Sequence, residues 1–352
     1  MLGVLMAKVL AVGNIVVDIV VKPEKDLPKW GHLCAVDIPI EPNIGGNGAI
    51  FAAYIAKLTG ACSLVGCIGE DLLGQWVHGE LERFKVGLDC VHKVKRPTSV
   101  SVALVGQDGR RAFLHHIGAN GELGPGDVPD DLAGAAWLHL GSPFILPKLP
   151  PKACTAVLKK AKEAGLYTSV DLVWDPKEEW DLDKMASYAD VLFLNRDEGE
   201  AVTGTNAPLE ILDMLATQGP RITVLKMGES GCALKLQTGE SFFAPAFEVK
   251  AVDSTGAGDA FNAGFILGLM NELERAKAIG KDGPKKGKRK GAMGFAKDIL
   301  DVVDGQAMRK VALLGNALGA ISVTQVGGAS DPPTQRELLN FVKTQKRKMV
   351  VE

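Results

Sequence analysis

The residues best suited to chemistry lie in one short run, Asp253-Ser254-Thr255-Gly256-Ala257-Gly258-Asp259-Ala260-Phe261. It follows a short extended stretch over 247–252 and opens a helix predicted over 260–270. A glycine-rich turn at a helix start leaves several backbone N–H groups without intrahelical partners, all pointing one way. The helix dipole adds positive potential there, which makes the turn an anion site. A carboxylate beside that site is a poor anion ligand, because like charges repel. It makes sense as a general base that takes the proton from a hydroxyl attacking a bound phosphate. An aspartate also fills a helix N-cap well, so composition alone leaves both readings of Asp259 open.

A second glycine-rich turn, Ile44-Gly45-Gly46-Asn47-Gly48, precedes a small-residue helix over 49–58. Other recognisable sites are absent. No GxxxxGK[ST] run offers a P-loop. The first strand ends in the single Gly13 rather than the GxGxxG of a dinucleotide fold. No GxSxG elbow presents a serine nucleophile. His115 and His116 are adjacent, and neighbours on a strand face opposite sides, which argues against a shared metal. The cysteines at 34, 62, 67, 90, 154 and 232 form no CxxC pair.

Holding these turns in place calls for a layered α/β core. An apolar, β-branched run over 8–12 ends at Gly13-Asn14 and reads as a buried strand. Strands over 61–66, 137–140, 167–172, 191–194 and 222–226 alternate with helices over 72–84, 152–164, 198–202 and 208–217. That rhythm predicts a doubly wound, mainly parallel α/β sheet sandwiched by helices. Two β-rich pieces, 15–42 and 97–118, break the rhythm. The second reads as a hairpin, with strands over 98–105 and 111–117 around Gln107-Asp108-Gly109-Arg110. Both are assigned to a small β-sheet lid, and the core to 1–14, 43–96 and 119–352. Within the core, residues 281–290 (KDGPKKGKRK) read as a basic mobile loop. An isolated run without interleaved aromatics does not support a nucleic-acid patch.

The ordered set of motifs resembles the ribokinase-like (PfkB) carbohydrate kinase family. DSTGAGDAFNAGF is similar to that family's second signature, and Gly45-Gly46-Asn47-Gly48 to its first. Asn195-Arg196-Asp197-Glu198 resembles its N-x-x-E motif after a central strand. Residues 223–231 (TVLKMGESG) are similar to its strand and GxxG nucleotide loop. Residues 316–330 (NALGAISVTQVGGAS) look like its last helix and the loop after it. The matches run in family order across most of the chain.

The resemblance implies an ATP-dependent phosphotransferase that acts on a hydroxymethyl group of a sugar, with ATP and Mg²⁺. Asp259 is then the general base, and the amides of Gly256, Ala257 and Gly258 stabilise the transferring phosphoryl group. Asn195 and Glu198 help place Mg²⁺ and phosphates through water. Lys226, Gly228, Gly231 and Thr255 border the nucleotide, with Asn316 near the adenine. Asp18, Gly45, Gly46 and Asn47 hydrogen-bond substrate hydroxyls. Asp253, Thr255, Ser322, Gln325, Gly327 and Ser330 are the positions open to a monovalent cation such as K⁺.

Simpler readings of the same residues stand beside these. Asp18 could be a solvent-facing strand residue, and Asn195 a cap for the helix that carries Glu198. Lys226 could be a surface lysine, and Gly264 and Gly268 serve close helix packing. Two positions depart from the family pattern. Ile50 stands where an asparagine is usual, and Gln325 where some members have arginine. Ile50 favours the alternative of a nucleoside kinase, whose base would need an apolar slot built from Ile50, Phe51 and Phe113. A further alternative is a non-catalytic sugar-binding regulator, against which Asp259, Asn195 and Glu198 all speak.

Composition bounds the rest. With 46% apolar residues in 352, the chain has ample surface to bury, which excludes disorder of the whole. A net charge of −2 argues against a generally basic nucleic-acid binder. No stretch reaches the roughly 18–20 apolar residues of a membrane helix, and no export signal is recognisable. The cysteines then read as free thiols of a cytoplasmic protein. Exposed lid edges favour a homodimer formed through the lid.

Overall fold

Alternate residues of the first strand serve different layers. In β1 (Lys8–Val12), Val9 and Ala11 enter one hydrophobic cluster, and Leu10 and Val12 enter another. A strand buried on both faces is what an unbroken apolar run encodes. The computed structural model describes residues 8–24, 27–36, 39–106, 111–278, 299 and 303–347. The basic run 281–290 and the hairpin turn 107–110 lie outside the described residues.

Around β1 a nine-stranded sheet is built in the order β13-β12-β11-β10-β9-β8-β1-β4-β5. Its members are β4 (Cys62–Gly69), β5 (Gly87–Val94), β8 (Ala135–Gly141), β9 (Tyr167–Asp171), β10 (Val191–Asn195), β11 (Ile222–Lys226), β12 (Cys232–Leu236) and β13 (Ser241–Ala244). Neighbours from β11 to β5 are parallel, and β12 and β13 add an antiparallel edge. The first cluster is closed by α1 (Asn47–Thr59), α2 (Leu72–Arg83), α7 (Ala257–Ala278), α8 (Gly305–Ser322) and α9 (Gln335–Thr344). The second is closed by α3 (Pro151–Glu163), α4 (Met185–Tyr188), α5 (Arg196–Thr203) and α6 (Pro208–Ala216). This is the expected doubly wound sandwich.

A separate sheet of order β3-β2-β6-β7 forms the lid, from β2 (Val16–Val21), β3 (Pro42–Gly45), β6 (Val100–Val105) and β7 (Arg111–His116). The hairpin is present as the antiparallel β6–β7 pair. Residues 43–45, which the sequence reading gives to the core, instead pair antiparallel with β2. The stretch 247–252 carries only an isolated bridge, Phe247 to Arg347, rather than a strand. The strands β5, β12 and β13 and the helix α9 have no counterpart in the sequence reading. Gly264 and Gly268 lie where α7 meets α8, with the Leu314 carbonyl oxygen 2.4 Å from where a Gly264 Cβ would sit. Close packing is their role. Among the described residues, no helix is long and apolar enough to cross a membrane.

Candidate active site

Parallel strands deliver their C-terminal ends to one edge of a sheet, and ligands bind there at the point where strand order reverses. Here β9 ends at Asp171, β10 at Asn195 and β11 at Lys226, while the reversal falls at β1 between β8 and β4. The N-terminus of α7 reaches the same edge and brings Asp259 in its first turn.

Asp259 is 4% exposed and is the third residue of α7, so it does not cap the helix. Its carboxylate accepts a hydrogen bond from Asn47 Nδ2 at 2.9 Å. Ser142 Oγ donates to Asn47 Oδ1 at 2.7 Å, which leaves the amide nitrogen of Asn47 to face Asp259. Burial pushes the pKa of Asp259 up to about 7, and the Asp171 carboxylate adds to the effect. Lys226 and the Asn47 hydrogen bond pull the other way, and Asp18 adds a further rise. A carboxyl that releases its proton near neutral pH has the proton affinity a general base needs.

The turn before Asp259 depends on Gly256, whose φ is +70°. A Cβ there would lie 2.7 Å from Gly328 Cα and from its carbonyl oxygen, so only glycine lets the two backbones meet. The Ala257 amide bonds the Ser254 carbonyl at 3.3 Å and is partly spent on the turn itself.

At the root of the lid, Asp18 is buried, not solvent-facing. Its carboxyl fills the space a Gly45 side chain would need, with Cγ 2.1 Å from the position of that Cβ. Burial, and then the charge of Asp253, raises the Asp18 pKa to about 7. Asp18, Gly45, Gly46 and Asn47 are thus brought together at the root of the lid, on β2, β3 and the start of α1. Ile50 is buried against Gly328, and Phe51 stacks on the buried His139 with ring centroids 3.9 Å apart. Phe113 is exposed on β7.

Beside the start of α7, a cavity of about 350 Å³ is lined by Lys226, Gly228, Gly231, Gly258 and Asn316, with Phe247, Val249 and Phe261 among its apolar walls. Asn316 Nδ2 donates to the carbonyls of Ala244 and Pro245 at 2.9 and 3.0 Å, and so fixes the segment leading to Phe247. Lys226 is no surface lysine. Its Nζ lies 2.8 Å from each carboxylate oxygen of Asp171, and Asn262 Nδ2 donates to Asp171 Oδ2 at 2.7 Å. Sequence reasoning missed Asp171, Asn262 and Ser142. An acidic residue within the strand read over 167–172 is the signal that could have found the first.

Asn195 caps α5 in a reciprocal box. Its Oδ1 accepts from the Glu198 amide at 2.9 Å, and its own amide donates to Glu198 Oε2 at 2.8 Å. Such a cap contributes about 1 kcal/mol and also holds the carboxylate in place. Burial, and then the Asp171 charge, raises the pKa of Glu198. Among the described residues, no group of three or more His, Cys, Asp or Glu could hold a metal ion by itself. The positions proposed for a monovalent cation meet only in part. Asp253 accepts from Thr255 Oγ1 at 2.8 Å and from the Gly327 amide at 2.8 Å. Ser330 Oγ instead donates to the Val326 carbonyl, Gln325 pairs with the Asp331 backbone, and Ser322 is buried within α8.

The raised carboxyls fix two pH responses. A base with a pKa near 7 is competent only above it, so kcat/KM is expected to rise with pH through an acid limb centred near 7. Stability runs the other way. Asp18 and Asp259 bind their protons more tightly folded than unfolded, so their stabilising contribution is full below about pH 4 and lost as pH rises through about 7. Melting curves of the Asp259→Asn variant should therefore depend less on pH between 5 and 8 than those of the wild type. Equal pH dependence of the two would contradict the raised value.

Comparison with known proteins bears on the family and the fold. The pfkB family carbohydrate kinase pattern matches residues 6–335. An ATP-dependent ribose-1-phosphate kinase of Halopiger xanaduensis is 31% identical over 279 residues, covering 78% of this chain and 88% of that protein. An aminoimidazole riboside kinase of Salmonella typhimurium is 27% identical over 310 residues, covering 85% and 88%. The crystal structure of ribokinase from Thermotoga maritima is similar with a TM-score of 0.72 at 25% identity, covering 96% of this chain and all of that one. A family match over nearly the whole length, on a ribokinase-like sheet and lid, makes this chain a member of the pfkB family of carbohydrate kinases.

Proposed function

We propose that the protein transfers the γ-phosphoryl group of ATP to a hydroxymethyl group of a sugar, with Asp259 as the base. One observation carries the reading. A buried carboxyl of raised proton affinity stands next to a glycine turn at a helix start, and an amide from the sugar-side turn holds it. In the reaction the hydroxyl oxygen attacks the γ-phosphorus, its proton passes to Asp259, and the bond to the β-phosphate oxygen breaks to release ADP. The amides of the 256–258 turn and the α7 dipole stabilise the charge on the phosphoryl oxygens. Asp18, Gly45, Gly46 and Asn47 bind the other hydroxyls and set the attacking one before Asp259. Mg²⁺ supplies charge neutralisation on the phosphates when bound, with Asn195 and Glu198 as its water-mediated supports. Lid closure excludes water, so the sugar rather than solvent accepts the phosphoryl group.

Support for a sugar over a nucleoside comes from the match to a family of carbohydrate kinases over residues 6–335. A coupled assay across pentoses, hexoses, keto-acid sugars and nucleosides tests the choice, with a sugar expected to give the highest kcat/KM. A response to nucleosides alone would overturn it. The same reading includes a homodimer through the lid, because Trp30, Leu33, Phe113 and Leu114 expose large apolar groups there. Light scattering should give twice the chain mass, and a monomeric mass would refute that part.

A further inference from the structure

Lys226 is a long cation held almost out of solvent, with its side chain 13% exposed. An ammonium group has three N–H donors. Two are taken by Asp171, whose Oδ1 and Oδ2 each lie 2.8 Å from Nζ. For the third, no acceptor is present among the described residues. The amine also stands at the anion turn, since a Cβ on Gly258 would lie 3.2 Å from Nζ. It therefore lines the donor cavity at the end where α7 begins.

The carboxylate that pins it is fixed in turn. Asp171 is 2% exposed, and Asn262 on α7 donates to its Oδ2 at 2.7 Å. Three elements, β9, β11 and α7, are thus tied through one carboxylate. Burial by itself would drive a lysine toward its neutral form, and the Asp171 and Glu198 charges more than offset it, which keeps the proton on. A freely rotating lysine would present its charge in many directions. Here the direction is set by two fixed bonds.

We propose that Asp171 is a positioning residue, which holds Lys226 charged with one N–H directed at the terminal phosphate of the bound nucleotide. The proposal rests on the reading of the 256–258 turn as the phosphate site and adds the residue that sets its lysine. Asp171 does not touch the phosphate. It acts through the amine, at the stage of nucleotide binding and phosphoryl transfer, and not through the sugar.

The test reads binding rather than turnover, so it is separable from the choice of acceptor and from the role of Asp259. Dissociation constants for a non-hydrolysable ATP analogue and for ADP are measured by calorimetry on the wild type, Asp171→Asn, Lys226→Met and the double variant. Removing a charge-assisted contact from the γ-phosphate should weaken the analogue about tenfold or more and ADP less than about threefold. The double variant should match Lys226→Met within about twofold, because the two residues act as one unit. Equal losses for the two nucleotides, or losses that multiply in the double variant, would show that Asp171 only supports the fold. In case Asp171→Asn fails to fold, Asn262→Ala frees one carboxylate oxygen while keeping both charges. It should shift the ratio of analogue to ADP affinity in the same direction, and an unchanged ratio would overturn the positioning role. Failure of the proposed function would be seen elsewhere, as absence of sugar phosphorylation by a wild type that still binds the analogue more tightly than its Lys226→Met variant.

Discussion

Asp259→Asn is expected to lower kcat by at least about 10²-fold while ATP affinity stays within about threefold of the wild type. The amide is nearly isosteric with the carboxylate and can still meet Asn47, so the loss isolates proton acceptance from packing. It also removes a buried negative charge that Asp171 and Asp18 both oppose, which should leave the folded state no less stable at pH 8. Steady-state rates together with calorimetry on the nucleotide decide the matter. Near-normal turnover would refute the base assignment, and a large fall in ATP affinity would place Asp259 in nucleotide binding instead.

Gly256→Ala should give the second large effect. The new methyl group would sit 2.7 Å from Gly328 backbone atoms, and the residue would have to hold φ near +70°. The backbone strain alone costs about 1–2 kcal/mol, and relief of the clash must shift the turn or the loop carrying Gly328. Moving one of the amides proposed to hold the phosphoryl group is expected to cost about 10²-fold in kcat, the magnitude of a lost oxyanion donor. Gly228 provides the control. Its φ is +56°, but nothing lies within 4 Å of its added Cβ, so Gly228→Ala bears strain without a clash. Thermal melts and kcat on the two variants should separate clearly, with Gly256→Ala the worse in both. Equal behaviour would mean that the approach of Gly328 is not what the turn requires.

Features written in contiguous residues were readable from the chain. The anion turn, Asp259 and the Asn195–Glu198 box are local, and so are the apolar runs of β1, β10 and β11. What the sequence hid was assembled from distance. Asp171 meets Lys226 across 55 positions and Asn262 across 91, and Ser142 meets Asn47 across 95. No local pattern records such pairings. The edge strands were missed for another reason. β5 is half-buried or exposed along its length, so it shows neither a buried run nor a clean alternation. β13 is short and largely exposed. The helix α9 carried a signal, because Thr334 and Glu337 form a reciprocal cap, yet the sequence reading stopped at Ser330.

The lid is rooted in the site itself. β2 begins four residues after β1 ends, and β3 runs through Gly45 and Gly46 into α1 at Asn47. The groups proposed to bind the acceptor therefore sit at the root of the lid, while the cavity proposed for the donor is lined largely from β11, α7 and α8. The two sides meet where Asn47 of α1 holds Asp259 and where the loop carrying Gly328 lies between Ile50 and Gly256. Drift in the lid's length or course would retune which alcohol is accepted without disturbing how the phosphate donor is held. Within such a scaffold, acceptor choice and donor choice are separable inheritances, and a lineage could change the one while keeping the other.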